Sequence, residues 1–358
     1  MPPLVSILMP AYNAAAFIGE AIGSVLAQTE PRWELLIVDD GSTDRTAAIA
    51  AGFPDPRIRL FTQPNGGEAA ARNTALRHAR GSHIAFLDAD DVFLPGHLET
   101  ALALLSARPA NSGVYSDGFY VDARGTRLAP LSSRRRGPFE GDVFEQTVRA
   151  SDALSPPCCI VLKAESIGRA RLEFDTGLQF GVDWDFLTRF AEHGRFLYAD
   201  RPTCLYRVHQ TNLSRRVAGR DRDPSHARCR EKAIRLPRFP ECSLSTRAYA
   251  FYDLLVALLD GQPARQAAIT EWPQFRALPV KEQARLWRLM ASHAVVGGGG
   301  RAWVEGCLAR SAVLDPADRR GSAVNLLFRA APRLCRLALK LRRFPNARPS
   351  AAFPPGVS

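Results

Sequence analysis

The chain has 358 residues, 46% hydrophobic and 23% charged, which excludes a disordered or fibrous polypeptide and leaves room for one large domain plus a smaller one. Its formal net charge of +11 suits an anionic partner, such as a nucleotide, an anionic membrane or nucleic acid. The 7 cysteines offer no C-x-x-C pair and no histidine spacing for zinc, so their odd number and scatter predict reduced thiols in a cytosolic setting. The opening Met1-Pro2-Pro3-Leu4 lacks the basic and then apolar pattern of a signal peptide. The most apolar helical stretch, Tyr249 to Leu259, contains Asp253 and is too short to span a bilayer, so an integral membrane protein is not expected.

Val5 to Met9 predicts a short strand that ends at Pro10-Ala11-Tyr12-Asn13. Phe17, Ile18, Ala21, Ile22, Val25 and Leu26 then recur with helical spacing, the start of an α/β unit. A dinucleotide fold would place G-x-G-x-x-G in this loop, and its absence disfavours a nicotinamide cofactor. Leu35 to Val38 reads as a second strand, apolar throughout as one covered on both faces should be, and it stops at Asp39-Asp40-Gly41-Ser42-Thr43-Asp44. Ser42 or Thr43 suits the cap of the helix carrying Ala47, Ala48 and Ile49. Caps do not account for Asp39 and Asp40, which fall at the end of the strand where open α/β sheets bind ligands.

Ile58 to Phe61 predicts a third strand, and Glu68 to Ala79 a helix closed by Gly81. One turn into that helix, Arg72 is either a solvated surface charge or the partner of a carboxylate or phosphate. The next strand, His83 to Leu87, ends abruptly in Asp88-Ala89-Asp90-Asp91. In extended backbone Asp88 and Asp90 project to one side and could share a hard metal ion. Alternatively these acids favour the first turn of the helix that Pro95, Leu98, Leu102 and Leu105 announce.

Five motifs in this order resemble a family 2 glycosyltransferase: Val5 to Asn13, Ser24-Val25-Leu26-Ala27-Gln28-Thr29, Val38 to Asp44, Ala71-Arg72-Asn73 and Ala85 to Asp91. With the motifs further on, the resemblance covers roughly residues 4 to 214. It implies an α/β chain with the A-type glycosyltransferase fold, a Rossmann-like, mixed, mostly parallel sheet with helices on both faces, here followed by a C-terminal α-helical region. The implied reaction moves a sugar from a nucleotide-diphosphate donor, most often UDP-linked, to a hydroxyl of a glycan or lipid-linked acceptor in polysaccharide or cell-envelope synthesis. Mn²⁺ or Mg²⁺ would be held by Asp90, helped by Asp88 or Asp91. Asp88 could instead bind the ribose, while Asp39 or Asp40 reads the base in a pocket lined by Pro10, Ala11 and Tyr12; Ala89 and Arg72 complete the donor site.

Ser132 to Pro138 is a basic, breaker-rich loop, either a solvated linker or a mobile cover for an anionic ligand. Pro156 to Lys163 resembles a wall of the family's acceptor site. Phe180-Gly181-Val182-Asp183-Trp184-Asp185 opens a helix that in the family usually begins Glu-Asp, the aspartate being the catalytic base; here Val182 replaces the glutamate and Asp183 keeps the key position. In Cys204 to Ser214, Arg207 and His209 alternate on one strand face, where both can reach a diphosphate or its metal.

Beyond Ser214 strand signals cease. The expected domains are a catalytic one at 1–236, a helical one at 237–344 and a disordered tail at 345–358. The last helix sets Leu326, Leu327, Leu334, Leu337, Leu341 and Phe344 against Arg329, Arg333, Arg336, Lys340, Arg342 and Arg343. Residues 326–344 therefore suit either an anionic membrane surface or packing on their own domain. The expected location is the cytoplasm, at the inner face of the cell membrane where that helix docks.

The rival readings are a non-catalytic nucleotide-sugar or glycan-binding protein on the same scaffold and a nucleotidyltransferase. The latter would show a glycine- and basic-rich loop after the first strand. Nucleic acid is not an expected partner, because the excess charge lies in loops and C-terminal helices without interleaved aromatics.

Overall fold

The computed structural model describes residues 3–210, 212, 223–258, 263–297 and 299–341, and the chain divides into two compact units between Val217 and Ala218. In the first unit β1 (Val5–Ala11), α1 (Ile18–Leu26), β2 (Trp33–Asp39), α2 (Thr46–Ala51), β3 (Ile58–Thr62), α3 (Glu68–His78) and β4 (His83–Phe86) alternate strand and helix. There follow β5 (Val92–Phe93), α4 (His97–Ala107), β6 (Gly113–Val121), β7 (Arg127–Pro130), α5 (Phe144–Arg149), β8 (Ile160–Lys163), α6 (Ala164–Arg169), α7 (Val182–Ala191) and β9 (Phe196–Arg207). The strands form one mixed sheet in the order β3-β2-β1-β4-β8-β6-β9-β5, with β7 on β6.

β1 pairs in parallel with both β2 and β4, and β2 with β3, so these strands end at one edge of the sheet. Ala11 stands opposite Asp39, and just past β4 the N–H of Leu87 still reaches the carbonyl of Leu8. The acidic residues after β2 and β4 are thereby brought to one crevice. The alternation beneath explains why the edge holds still. Val5, Ile7 and Met9 bury against Ile18, Ile22 and Val25 of α1, while Leu8 and Leu36 fill the opposite face. Full burial of each such side chain contributes about 1.5–3 kcal/mol.

Several expectations change. α3 stops at His78, and Gly81 does not cap it. Gly81 lies against β1, where a Cβ would come within 2.6 Å of the Ser6 nitrogen. In the basic loop at 132–138, Ser132, Ser133, Gly137 and Pro138 are exposed, whereas Arg135 lies over Tyr115 and Tyr198 and donates to Ser155 Oγ at 2.7 Å, and Arg136 pairs with Asp152 at 3.3 Å. Reduced thiols throughout were expected, yet Cys159 and Cys204 form a disulfide, because β9 runs beside the turn preceding β8; Cys158, Cys229, Cys242, Cys307 and Cys335 are buried and outside any disulfide.

The second unit is helical. The helix Asp223–Arg235 packs on Leu244–Ala257, and Asp253 accepts from His226 Nε2 and Arg230 Nε, each at 2.6 Å. This packing places the division ahead of the boundary expected at 236/237. Phe251 meets Phe275 edge-on at 5.2 Å, and Val280–Gly297 runs along Arg301–Leu314 with Trp287 and Trp303 6.3 Å apart. The single expected terminal helix is two, Arg319–Ala330 and Pro332–Leu341. Pro332 lacks the N–H that would continue the first and suits the opening turn of the second. Arg342, Arg343, Phe344 and the tail expected to be disordered lie outside the described residues. Among the described residues no helix is long and apolar enough to cross a membrane.

Candidate active site

The crevice at the parallel-strand edge begins with the loop after β1. Asn13, at φ 49°, accepts the Thr43 N–H at 2.8 Å, and its own N–H reaches Ser42 Oγ at 3.0 Å. Ser42 and Thr43 therefore tie the first two strand-end loops together and do not cap α2, whose Thr46 N–H is taken by Asp44 at 2.9 Å. Pro10 is half-buried, Ala11 buried and Tyr12 exposed at the rim.

The two aspartates after β2 separate in role. Asp40 accepts from Gln63 Nε2, Gly66 N–H and Gly67 N–H at 2.7, 3.0 and 2.7 Å; it fastens the loop ahead of α3 and is not available to read a base. Asp39 is buried with Oδ1 lacking a hydrogen-bond partner, the mark of an acceptor waiting for a ligand donor.

The acids after β4 separate likewise. Asp88 Oδ1 accepts from Arg72 Nη2 at 2.7 Å, and Arg72 Nη1 lies 2.5 Å from Glu68 Oε1. Arg72 is 1% exposed and sits over the Phe174 ring at 5.5 Å, so it is a buried cation shared by carboxylates, not a surface charge. Burial raises Glu68 to about 7 against the pull of Arg72, with Asp88, Asp183 and Asp90 adding to the rise; burial likewise raises Asp88 despite Arg72. Ala89 is buried between the two outward acids. Asp90 Oδ2 lies 2.8 Å from His209 Nε2 and accepts from Asn212 Nδ2 at 3.2 Å.

Asp91 points the other way. It is 2% exposed and accepts the Arg207 backbone N–H at 2.8 Å, with burial and then Asp90 and Asp88 raising it well above the usual carboxylate range. It is a structural acid, removed from the metal set expected above. Arg207 also leaves the expected donor site: at 1% exposure it donates to the carbonyls of Asp90, Asp122 and Ala123 and to Glu20 Oε2 at 2.6 Å. The strand alternation of Arg207 and His209 fails because the chain leaves β9 at Arg207.

Across the crevice, Gly181 in the left-handed conformation starts α7 and presents the half-buried Asp183 in its first turn. Asp183 lines a narrow slot with Arg72, Phe86, Pro157, Phe174, Phe186 and Leu187. Asp185, two residues on, is buried and binds Arg189 at 2.6 Å. Phe174 and Phe186 stack with ring centres 4.1 Å apart, and Asn73 holds the Phe174 backbone. Sequence reasoning assigned no role to Glu68, Asn73, Phe174 or Asn212. Glu68 had a legible signal in its i,i+4 relation to Arg72; Phe174 had none, because its place depends on a contact with a residue 101 positions away.

The donor set Asp90 and His209, with the Asp88 oxygen not engaged by Arg72, fits a divalent cation that keeps positions open for phosphate oxygens. Among the described residues, Cys158, Cys159 and Cys204 bring three such ligand atoms within 4.8 Å of one another, whereas Asp88, Asp90 and His209 do not gather as closely. Two of the cysteines are bonded to each other, so they do not make such a site. A roomier hollow of about 490 Å³ lies elsewhere, between α4 and β9; its Glu99 is engaged by Thr29 and it contains none of the strand-end acids.

Residues 6–160 match the family model described as glycosyl transferase family 2. That match takes in Asp39, Asp88 and Asp90 and ends before Asp183 and His209. The chain is 33% identical over 221 residues to the uncharacterized glycosyltransferase EpsJ of Bacillus subtilis, covering 60% of this chain and 64% of that one. It is 48% identical over 103 residues to the Escherichia coli UDP-Glc:alpha-D-GlcNAc-diphosphoundecaprenol beta-1,3-glucosyltransferase WfgD, covering 28% and 41%. The chain thus spans less than two thirds of the length of these relatives. Among solved structures it resembles S. aureus TarS 1-349 in complex with UDP-GlcNAc, at TM-score 0.58 and 15% identity over 92% of each chain. It also resembles a mannosyltransferase from Pyrobaculum calidifontis in complex with GDP-Man and Mn²⁺, at TM-score 0.51 and 23% identity over 89% and 88%. The fold is the A-type glycosyltransferase fold, followed by a helical region.

Proposed function

We propose that this chain, whose residues 6–160 form a glycosyl transferase family 2 domain, transfers a sugar from a nucleoside-diphosphate donor, a UDP-sugar before others, to a hydroxyl of a glycan or lipid-linked acceptor with inversion at the anomeric carbon. One observation carries the reading: Arg72 pairs with Asp88 beside the Asp90–His209 pair and also lines the slot that holds Asp183, so donor-side acids and a candidate base share one crevice. The donor is supported by the UDP-Glc in the name of WfgD and the UDP-GlcNAc bound to TarS, and the lipid-linked acceptor by the diphosphoundecaprenol in the name of WfgD.

On this reading Asp39 Oδ1 accepts an imide N–H from the base, and Tyr12 lies along the base at the rim. Asp90 and His209, with Asp88, hold Mn²⁺ or Mg²⁺, which when bound supplies positive charge against the leaving diphosphate. Arg72 keeps Asp88 in place while its own charge faces the slot. Asp183 takes the proton of the acceptor hydroxyl as that oxygen attacks the anomeric carbon opposite the leaving group. The bond to the diphosphate breaks as the new glycosidic bond forms, which inverts configuration. The Phe174 and Phe186 rings keep water from the base. A lipid-linked acceptor would be met at the inner face of the cell membrane, approached from the cytoplasm.

The test is nucleotide release across UDP-, GDP- and dTDP-sugars with lipid-linked acceptors, in Mn²⁺ or Mg²⁺ and in chelator. Metal-dependent release from one donor is expected. Metal-dependent donor binding without release for any acceptor would instead identify a nucleotide-sugar-binding protein on this scaffold.

A further inference from the structure

We infer that the helix Pro332–Leu341 is a two-faced element, one stripe packed inward and the other docked on an anionic lipid bilayer. Cys335 and Leu339 are buried, at 0% and 5% exposure, one turn apart on the inward stripe. Leu334, Leu337 and Leu341 are 59%, 55% and 77% exposed. At 100° per residue these three fall within a sector of about 60°, well away from the buried pair. Single exposed leucines are ordinary, but three aligned on a ten-residue helix are an apolar strip that none of the described residues covers. The exposed Arg333, Arg336 and Lys340 occupy the adjoining sector, so the strip is flanked by cations. Leu326, 72% exposed on the preceding helix, and the exposed Arg329 repeat the pairing of leucine and cation.

Charge selects the occupant. From residue 319 to the C-terminus there are 9 Lys and Arg and no Asp or Glu, so 9 of the net +11 charges fall in these last 40 residues and the rest of the chain is close to neutral, at +2. A second copy docking here would set cations against cations. Nucleic acid would neutralise the charge and leave the leucines in water. An anionic bilayer meets both needs: acyl chains for the leucines and headgroups for the flanking cations. The inference uses residues outside the candidate active site and stands or falls separately from the catalytic reading.

Flotation of the full chain with vesicles tests it, comparing phosphatidylcholine alone with phosphatidylcholine containing phosphatidylglycerol. Binding to the anionic vesicles at least tenfold above the neutral ones is expected. It should fall when ionic strength is raised to about 1 M, where charges are screened within about 3 Å. Combined Leu334→Gln, Leu337→Gln and Leu341→Gln should lower binding tenfold or more with an unchanged melting temperature and unchanged nucleotide release in solution. Arg333→Gln with Lys340→Gln should do the same. Equal binding by the wild type and the leucine variant would overturn the proposal, as would salt-insensitive binding to neutral vesicles. Absence of flotation together with self-association in light scattering that the leucine variant abolishes would also overturn it and name a second copy as the occupant.

Discussion

Asn73 grips the backbone of Phe174, donating Nδ2–H to its carbonyl at 2.8 Å and accepting its N–H on Oδ1 at 2.7 Å. Through these two buried bonds α3, which carries Arg72, fixes a segment 101 residues later that walls the slot beside Asp183.

Replacing Asn73 by Ala leaves a buried N–H and C=O unpaired, at a cost of about 1–3 kcal/mol for such a group. The acceptor KM should rise more than the donor KM, because the wall loosens while Asp88 and Asp90 stay in place. Steady-state kinetics with each substrate varied in turn checks this; equal changes in both would refute the positioning role.

Asp183→Asn keeps shape and hydrogen-bonding reach but cannot take a proton. Transfer should fall by about 10²- to 10⁴-fold, the usual contribution of a positioned base. Donor affinity should persist in calorimetric titration. A near-normal rate would remove Asp183 from the mechanism.

Asp90→Ala and His209→Ala should each abolish metal-dependent tightening of nucleotide binding, measured as the change in UDP affinity on adding Mn²⁺. Asp91→Ala should leave that tightening intact while lowering stability, because it leaves the Arg207 N–H unpaired at 2% exposure. The contrast separates adjacent acids that composition alone cannot rank.

Arg207→Lys should unfold more readily without a selective loss of diphosphate affinity. Lysine cannot span Glu20 and the carbonyls of Asp90, Asp122 and Ala123, and each charged hydrogen bond lost is worth about 1.5–3 kcal/mol. Denaturant melts beside UDP titrations distinguish this from a donor contact, for which affinity would drop at constant stability.

In the helical unit, burial acts to raise Asp253, but the hydrogen bond from His226 and the charge of Arg230 outweigh it and hold the carboxyl at about 2, below its ordinary 3.8. A depressed acid contributes stability that is complete above 3.8 and lost as pH falls through about 2. Asp253→Asn should therefore be less stable by about 2 kcal/mol at pH 5, with the gap closing on acidification. Unfolding curves of both proteins between pH 5 and pH 2 measure it; a gap independent of pH would show that the pair does not carry the effect.

Local pattern determined much of this protein. Strands at the first four apolar runs, helices between them, and the delivery of Asp39, Asp88 and Asp90 to one sheet edge follow from periodicity and chain breakers, which need only near neighbours. The resemblance to family 2 glycosyltransferases was legible in five ordered motifs for the same reason, and the family model matches residues 6–160. Tertiary structure decided which acid is engaged by which partner. Asp40 is occupied by Gly66 and Gly67, Asp91 by Arg207, and Arg207 by Glu20 far back in the chain, leaving Asp39, Asp88, Asp90 and Asp183 to face the crevice. Side-chain direction just past a strand end depends on which partner arrives from elsewhere, and residue type does not encode it. The Cys159–Cys204 bond and the grip of Asn73 on Phe174 are of the same kind, since contacts across 45 and 101 residues exist only once the sheet has closed around them.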